Sequence, residues 1–190
     1  MDDRDLGRAL LTIARSAIAV RLDLPGGGEP RDPVLAQPAA TFVTLRYGGD
    51  LRGCIGSLEP VRPLGVDVRE NALAAAFRDP RFPPLAAQEF DATSIEVSLL
   101  SAAERLDVAS VEELAHRLRP GSDGLILEYD SRRVTYLPQV WEAIPDPRDF
   151  VAALTQKAGW PEGFWSPRMN VFRYGVTKWT EPEFLGETQR

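Results

Sequence analysis

A chain of 190 residues, 44% hydrophobic and 26% charged, is long enough to bury a sizeable core as one domain or two closely joined subdomains, and its composition is not that of a disordered or fibrous protein. With 22 basic against 28 acidic side chains the formal net charge is −6, which speaks against any general attraction to nucleic acid or anionic membrane. A single cysteine excludes an internal disulfide and suits a reducing compartment. The apolar run at 6–22 is broken by three arginines and lacks a signal-peptide cleavage pattern after it, so the expectation is a cytoplasmic protein without a membrane span.

Asp2, Asp3 and Asp5 precede Leu6, Leu10, Ile13 and Ala17, which recur along one face of an amphipathic helix whose positive end the acids complement. Residues 25–38 hold four prolines and three glycines and read as a surface loop. Gly26-Gly27-Gly28 follows no strand and precedes no Lys-Ser or Lys-Thr helix start, so no phosphate-cradling role is assigned to it. Residues 41–47, the Gly48-Gly49-Asp50 turn and residues 51–56 form a hairpin. Its returning run, Leu51-Arg52-Gly53-Cys54-Ile55-Gly56, sets the only cysteine between two glycines and close to an arginine. Strict alternation points Arg52 and Cys54 to one face, about 6–7 Å apart, and Leu51 and Ile55 to the other. Positive charge beside a thiol favours the reactive thiolate, and flanking glycines let a ligand or another backbone approach. The structural alternative is a buried cysteine in a bulged strand.

A helix over about 64–78, with Val66, Leu73 and Phe77 inward, stops at Pro80, and residues 79–85 make a stiff, proline-fixed turn. Residues 93–100 alternate as a half-buried strand, with Ile95, Val97 and Leu99 on one face and Ser94, Glu96 and Ser98 on the other. Ser110-x-x-Glu113 is a capping box that opens a helix ending near Pro120-Gly121. A second hairpin follows at 125–129 and 133–137. Asp146-Pro147 then caps a helix with Phe150, Leu154 and Ala158 on one face, Gly159 closes it, and one alternating strand runs from Val171 to Trp179. The halves at roughly 39–101 and 124–180 thus both read hairpin, helix, proline-rich loop, strand. The expected fold class is α+β: two intertwined halves, consistent with duplication, with mainly antiparallel sheets in a single domain over 1–190 and Cys54 in a cleft between them. When Tyr47 is laid on Tyr129, Cys54 overlays Tyr136, so the cysteine is not repeated.

Four runs in order carry a resemblance: LRGCIG at 51–56, AFRDPRFPPL at 76–85, IEVSLLS at 95–101 and YLPQVW at 136–141. Together they resemble the AMMECR family, whose bacterial and archaeal members are called AmmeMemoRadiSam system protein A, from the first helix to about Trp179. The resemblance implies a duplicated α+β fold and work alongside a Memo-like protein and a radical S-adenosylmethionine protein. It names no reaction and no cofactor.

The candidate catalytic residues are Cys54 as nucleophile or covalent carrier, Arg52 to stabilise the thiolate or bind an anionic group, and Glu96 to orient or exchange a proton. Gly53, Gly56, Asp79, Arg81 and Gln139 are candidate ligand contacts, with Arg81 expected to join Arg52 in an anion-binding pocket beside the thiol. Each has a structural explanation: Arg81 can pair with Asp79 at the surface, Glu96 can face solvent, and the run around Gln139 can serve folding alone. The one histidine, His116, has no HxxxH or CxxC context, so neither a metal site nor a papain-like Cys–His pair is expected. Trp141, Trp160, Trp165 and Trp179, with Tyr136 and Tyr174, are interleaved with arginines and form a candidate RNA-stacking surface, against which stand core packing and the acidic balance. Two function classes follow. One is a cysteine-dependent enzyme or modification-system subunit; the other is a non-catalytic binding or scaffold subunit for a partner protein, an anionic ligand or RNA.

Overall fold

The computed structural model describes residues 2–181 and divides the chain into two compact units, one holding the residues up to Leu100 together with those from Thr177, the other Ser101–Val176. In the first unit α1 (Asp3–Arg21) is capped by Asp2, whose carboxylate accepts the Asp5 N–H at 2.8 Å. β1 (Pro38–Ala39), the hairpin β2 (Thr41–Tyr47) and β3 (Asp50–Gly56), β4 (Arg62–Pro63), α2 (Leu64–Phe77), α3 (Ala87–Phe90) and β5 (Thr93–Leu100) follow in order. The second unit runs through β6 (Glu104–Arg105), α4 (Val111–Arg117), the hairpin β7 (Gly124–Tyr129) and β8 (Arg132–Tyr136), a 3-10 turn at Pro138–Glu142, α5 (Pro147–Lys157) and β9 (Asn170–Tyr174). β10 (Val176–Thr180) then joins the first sheet, whose strand order is β10-β5-β2-β3; the second sheet has the order β6-β9-β7-β8, and β1 and β4 form a small ribbon.

The expected α+β class with mainly antiparallel sheets is therefore what the chain adopts. In both four-stranded sheets the first strand of a hairpin is also paired, antiparallel, with the strand that comes after the helix. One element differs from its expected form: the alternating run from Val171 to Trp179 is two strands in two sheets. The break falls at Gly175, whose N–H donates to Ser101 Oγ and whose carbonyl accepts the Ser101 N–H, both at 2.9 Å, and an alternating pattern does not register such a clip.

Each unit has its own core. In the first, α1 and α2 cover the sheet face carrying Val43, Leu45, Ile95 and Val97, all essentially solvent-free, with Trp179 at its margin. In the second, Phe150 and Leu154 of α5 meet Leu125, Leu127 and Val171, and Trp141 stacks on Phe150 with ring centroids 3.7 Å apart. Among the described residues no helix is long and apolar enough to cross a membrane.

The inward face of α2 is Leu64, Val68, Ala72, Ala75 and Ala76, rotated from the expected one: Val66 is 45% exposed, and Leu73 and Phe77 are half-buried. Small side chains let this helix lie directly on the sheet. A Cβ built on Gly53 would stand 2.2 Å from the Ala75 carbonyl oxygen, so at this point of β3 the helix backbone occupies the space of a side chain. The polar side of α2 is also buried. Asp67 accepts from the Thr41 N–H and hydroxyl, Asn71 Nδ2, Ser57 Oγ and Arg62, which ties the start of β2 and the residue after Gly56 to the helix.

Gly53→Ala is expected to push α2 off β3 and cost about 1–3 kcal/mol, the range for overpacking a filled core. Thermal unfolding should record a fall of roughly 2–10 °C, against no measurable change for Gly28→Ala, around which no atom lies within 4 Å. Equal melting temperatures for the two variants would show that the helix yields freely at Ala75.

Candidate functional site

The site begins with a count of residues. Gly48 and Gly49 have φ of +59° and +93°, as a two-residue hairpin turn requires, and so Tyr47 pairs with Asp50. Uninterrupted pairing from that point would set Cys54 opposite Val43, in the core. Instead Arg46 pairs with Leu51 and Leu45 with Gly53, leaving Arg52 as an unpaired extra residue, a β-bulge. The register moves by one, Cys54 comes opposite Thr44, and the thiol is turned to the sheet face away from the helices. The expected alternation is corrected accordingly: Ile55 packs on the core, whereas Leu51 pairs with Arg46 on the face that carries Cys54.

Arg52 does not serve the thiol directly. Its residue is 8% exposed; Nε and Nη2 donate to the two oxygens of Glu89 at 2.9 and 3.0 Å, and Glu89 also accepts the Ala86 N–H at 2.9 Å. The guanidinium beside Glu89 holds that carboxyl below its ordinary range, and the pair fastens the bulged residue to α3.

The backbone of Cys54 is held by the proline-rich turn. Asp79 accepts the Cys54 N–H at 2.9 Å, and Arg81 Nη2 donates to the Cys54 carbonyl at 3.1 Å. Asp79 and Arg81 are themselves joined through Nε at 2.9 Å and Nη2 at 2.6 Å. Asp79 is buried, while the Arg81 side chain is 52% exposed. The expected pocket of two free guanidiniums is therefore corrected: each is bound to a carboxylate, and the Phe82 ring lies near both, 5.5 Å from the Arg81 guanidinium carbon and 6.0 Å from that of Arg52.

Along the sheet face the thiol has polar neighbours. Thr44 Oγ1 donates to Cys54 Sγ at 3.3 Å, and Thr44 is also paired on its other side with Glu96. Lys178 Nζ reaches Glu96 at 3.2 Å. A row of thiol, hydroxyl, carboxylate and ammonium thus crosses the sheet. Cys54 and Glu96 are brought to one face. Thr44, Glu89 and Lys178 carry no local sequence signal; counting pairs outward from the glycine turn reaches Thr44 only once the bulge is included.

The other candidates fall elsewhere. Gly53 and Gly56 are filled by the protein itself: at Gly53 it is another backbone that approaches, through the Ala75 carbonyl, and at Gly56 the Phe42 ring, 2.2 Å from a built Cβ. Gln139 is exposed on the 3-10 turn of the second unit. His116 is exposed, with Nδ1 2.6 Å from the Glu112 carbonyl oxygen. Trp141, Tyr174 and Trp179 are buried and cannot offer rings to bases.

The AMMECR1 family profile matches residues 11–179 of the chain. A protein of Methanothermobacter thermautotrophicus is 41% identical over 182 residues, 90% of this chain and 92% of its own length, and one of Thermofilum pendens is 39% identical over 200 residues, covering 95% and 92%. The crystal structure of protein PH0010 from Pyrococcus horikoshii superposes with a TM-score of 0.78 at 32% identity, covering 93% of this chain and 91% of that one.

The Arg81 guanidinium holds the Asp79 carboxyl well below the usual carboxylate range, against the opposing effect of burial and with help from the Cys54 and Arg81 N–H groups. The unfolded chain, with an Asp value of about 3.9, therefore takes up this proton first, and stability rises with pH across the interval. The contribution is complete above about pH 5 and is lost as pH falls through the folded-state value. Asp79→Asn is expected to cost about 2–3 kcal/mol in urea unfolding at neutral pH, the range for hydrogen bonds to a charged group. The gap to wild type should persist to about pH 5 and narrow toward about pH 3. A gap unchanged down to that pH would show that the carboxylate charge does not hold the turn.

Proposed function

Starting from the fact that the chain belongs to the AMMECR1 family, we propose that it is a cysteine-dependent enzyme or modification-system subunit in which Cys54 acts as nucleophile or covalent carrier. The observation that carries this reading is the bulge at Arg52, which turns the only cysteine out of the core and beside a hydroxyl that donates to its sulfur. The hydrogen bond from Thr44 orients the sulfur and strengthens as charge develops on it during attack. Arg81, half exposed and anchored at the Cys54 carbonyl, takes the part first given to Arg52: it supplies positive potential near the thiolate and a donor surface for an anionic or carbonyl oxygen of the substrate. Glu96, whose strand position is paired with that of Thr44, is the carboxylate in this row to take up or give a proton, and Lys178 pairs with it. As AmmeMemoRadiSam system protein A, the chain would perform this step beside a Memo-like and a radical S-adenosylmethionine protein in the cytoplasm.

A second reading has its own support. The filled spaces at Gly53 and Gly56 and the two-point hold on the Cys54 backbone also suit a rigid binding or scaffold subunit for a partner protein or an anionic ligand.

Alkylation by iodoacetamide, followed by mass spectrometry of the intact protein, separates the two because there is one thiol to label. Thr44→Val is expected to slow labelling at neutral pH about fivefold, the equivalent of one hydrogen bond of about 1 kcal/mol. Cells carrying Cys54→Ala should differ from wild type in untargeted metabolite and RNA-modification profiles. Labelling at the rate of an unstructured cysteine peptide, unaltered by Thr44→Val, together with wild-type profiles from the Cys54→Ala cells, would leave the scaffold reading.

A further inference from the structure

The unit Ser101–Val176 holds a cavity of about 530 Å³ that none of the residues around Cys54 lines; of the candidates above only Trp160 borders it. Its deep side is Val151 and Thr155, both buried on α5, with Val111 at the start of α4. Ala152 and Ala153 keep the helix wall low. Trp160 and Phe164, with ring centroids 5.7 Å apart, provide an aromatic wall, and the polar lining is Asp149, Gln156 and Glu162. Two carboxylates therefore face this space and no lysine or arginine lines it. Among the described residues neither carboxylate is engaged in an ion pair with a basic side chain.

The ring cluster already shows the chemistry it accepts. Tyr129 meets Trp160 and Phe164 edge-on at 6.1 and 5.1 Å, and the Arg168 guanidinium carbon stands 5.5 Å from the Tyr129 ring centroid, with Nη2 donating to the Tyr129 hydroxyl at 3.0 Å. The cavity itself offers the same aromatic character and two negative charges without an internal cation. Its size lies within the roughly 300–1,000 Å³ of small-molecule pockets, far more than a bare ion fills. Carboxylates repel phosphate and carboxylate ligands, and aromatic faces attract cations.

We propose that this cavity binds a small organic cation, its ammonium or guanidinium head toward Asp149 and Glu162 and its apolar body against Trp160 and Phe164. The proposal is independent of the role of Cys54. The probes are phenethylammonium and its neutral isostere 2-phenylethanol, titrated into the full chain while the indole N–H resonance of Trp160, assigned by Trp160→Phe, is followed by NMR. The ammonium should bind with a millimolar Kd and the alcohol at least about tenfold more weakly. Asp149→Asn combined with Glu162→Gln should weaken the ammonium about tenfold and leave the alcohol unchanged. Glu162→Gln alone lies outside any helix, so it preserves the test, with a several-fold loss expected, if the first turn of α5 is disturbed by the Asp149 change. Equal binding of the two probes would overturn the proposal, as would unaltered ammonium binding in Glu162→Gln and in the double variant, or no movement of the Trp160 resonance with either probe at about 20 mM.

Discussion

Because side chains alternate along a strand, the extra residue at Arg52 decides that Cys54 stands opposite Thr44 on the outer sheet face and not opposite Val43 in the core. Everything chemical about the first unit depends on that one-residue displacement, and three features hold it. The turn at Gly48-Gly49 fixes where counting begins. The ion pair with Glu89 ties down the bulged side chain, and the close approach of α2 at Gly53 forbids the register from sliding, since any residue with a Cβ brought to that position would strike the Ala75 carbonyl. A bulge costs ladder hydrogen bonds, and it persists because the bidentate pairing of Arg52 with the half-buried Glu89 and the helix packing at Gly53 both hold it.

The second unit provides an internal comparison. Its hairpin pairs without interruption from Tyr129 with Arg132 to Leu125 with Tyr136, and residues Asp130 and Ser131 take the positive φ values that glycines take in the first turn. The same arrangement of a hairpin and a returning strand is thus built with and without the extra residue. The bulge is not needed for the architecture, which leaves the placement of the thiol, with the packing around it, as what it accomplishes.

Much of this was legible in the sequence. Both hairpins, the acidic start of α1, the capped starts of α4 and α5, and the half-buried strand β5 follow from turn residues, acidic and capping side chains and period-two alternation, all of which are local. The flanking glycines offer a bulge only as an alternative and do not place it, because LRGCIG reads equally well with any register; the distant partner Glu89 and the helix carbonyl at Ala75 select one. The face of α2 was misplaced for a related reason: its apolar residues point nearly all round, and the decision falls to alanines whose value lies in how closely they let the backbone approach. The run from Val171 to Trp179 alternates through its break, since both strands obey the same period and the clip to Ser101 lies 74 residues away. The pairing of Arg81 with Asp79 is read from spacing only as the alternative to an anion pocket, and their joint hold on the Cys54 backbone is a tertiary fact that spacing does not encode.

That hold also limits how anything can reach the thiol. β3 is an edge strand, and an edge offers N–H and C=O groups on which an extended peptide can add as a further strand. At Cys54 both groups are taken, the N–H by Asp79 and the carbonyl by Arg81, so strand addition is blocked where the sulfur sits. The turn at 79–85 acts as a short substitute for the missing strand, with prolines keeping it from being displaced at little entropic cost. Around Sγ stand instead the side chains of Thr44, Glu96 and Lys178 in one row across the sheet, with the exposed part of Arg81 beside the Cys54 carbonyl. A group arriving there meets side chains and not backbone. Discrimination at the thiol consequently depends on the charge and hydrogen bonding of those four residues, and a ligand recognised mainly through its own main chain has no place to dock.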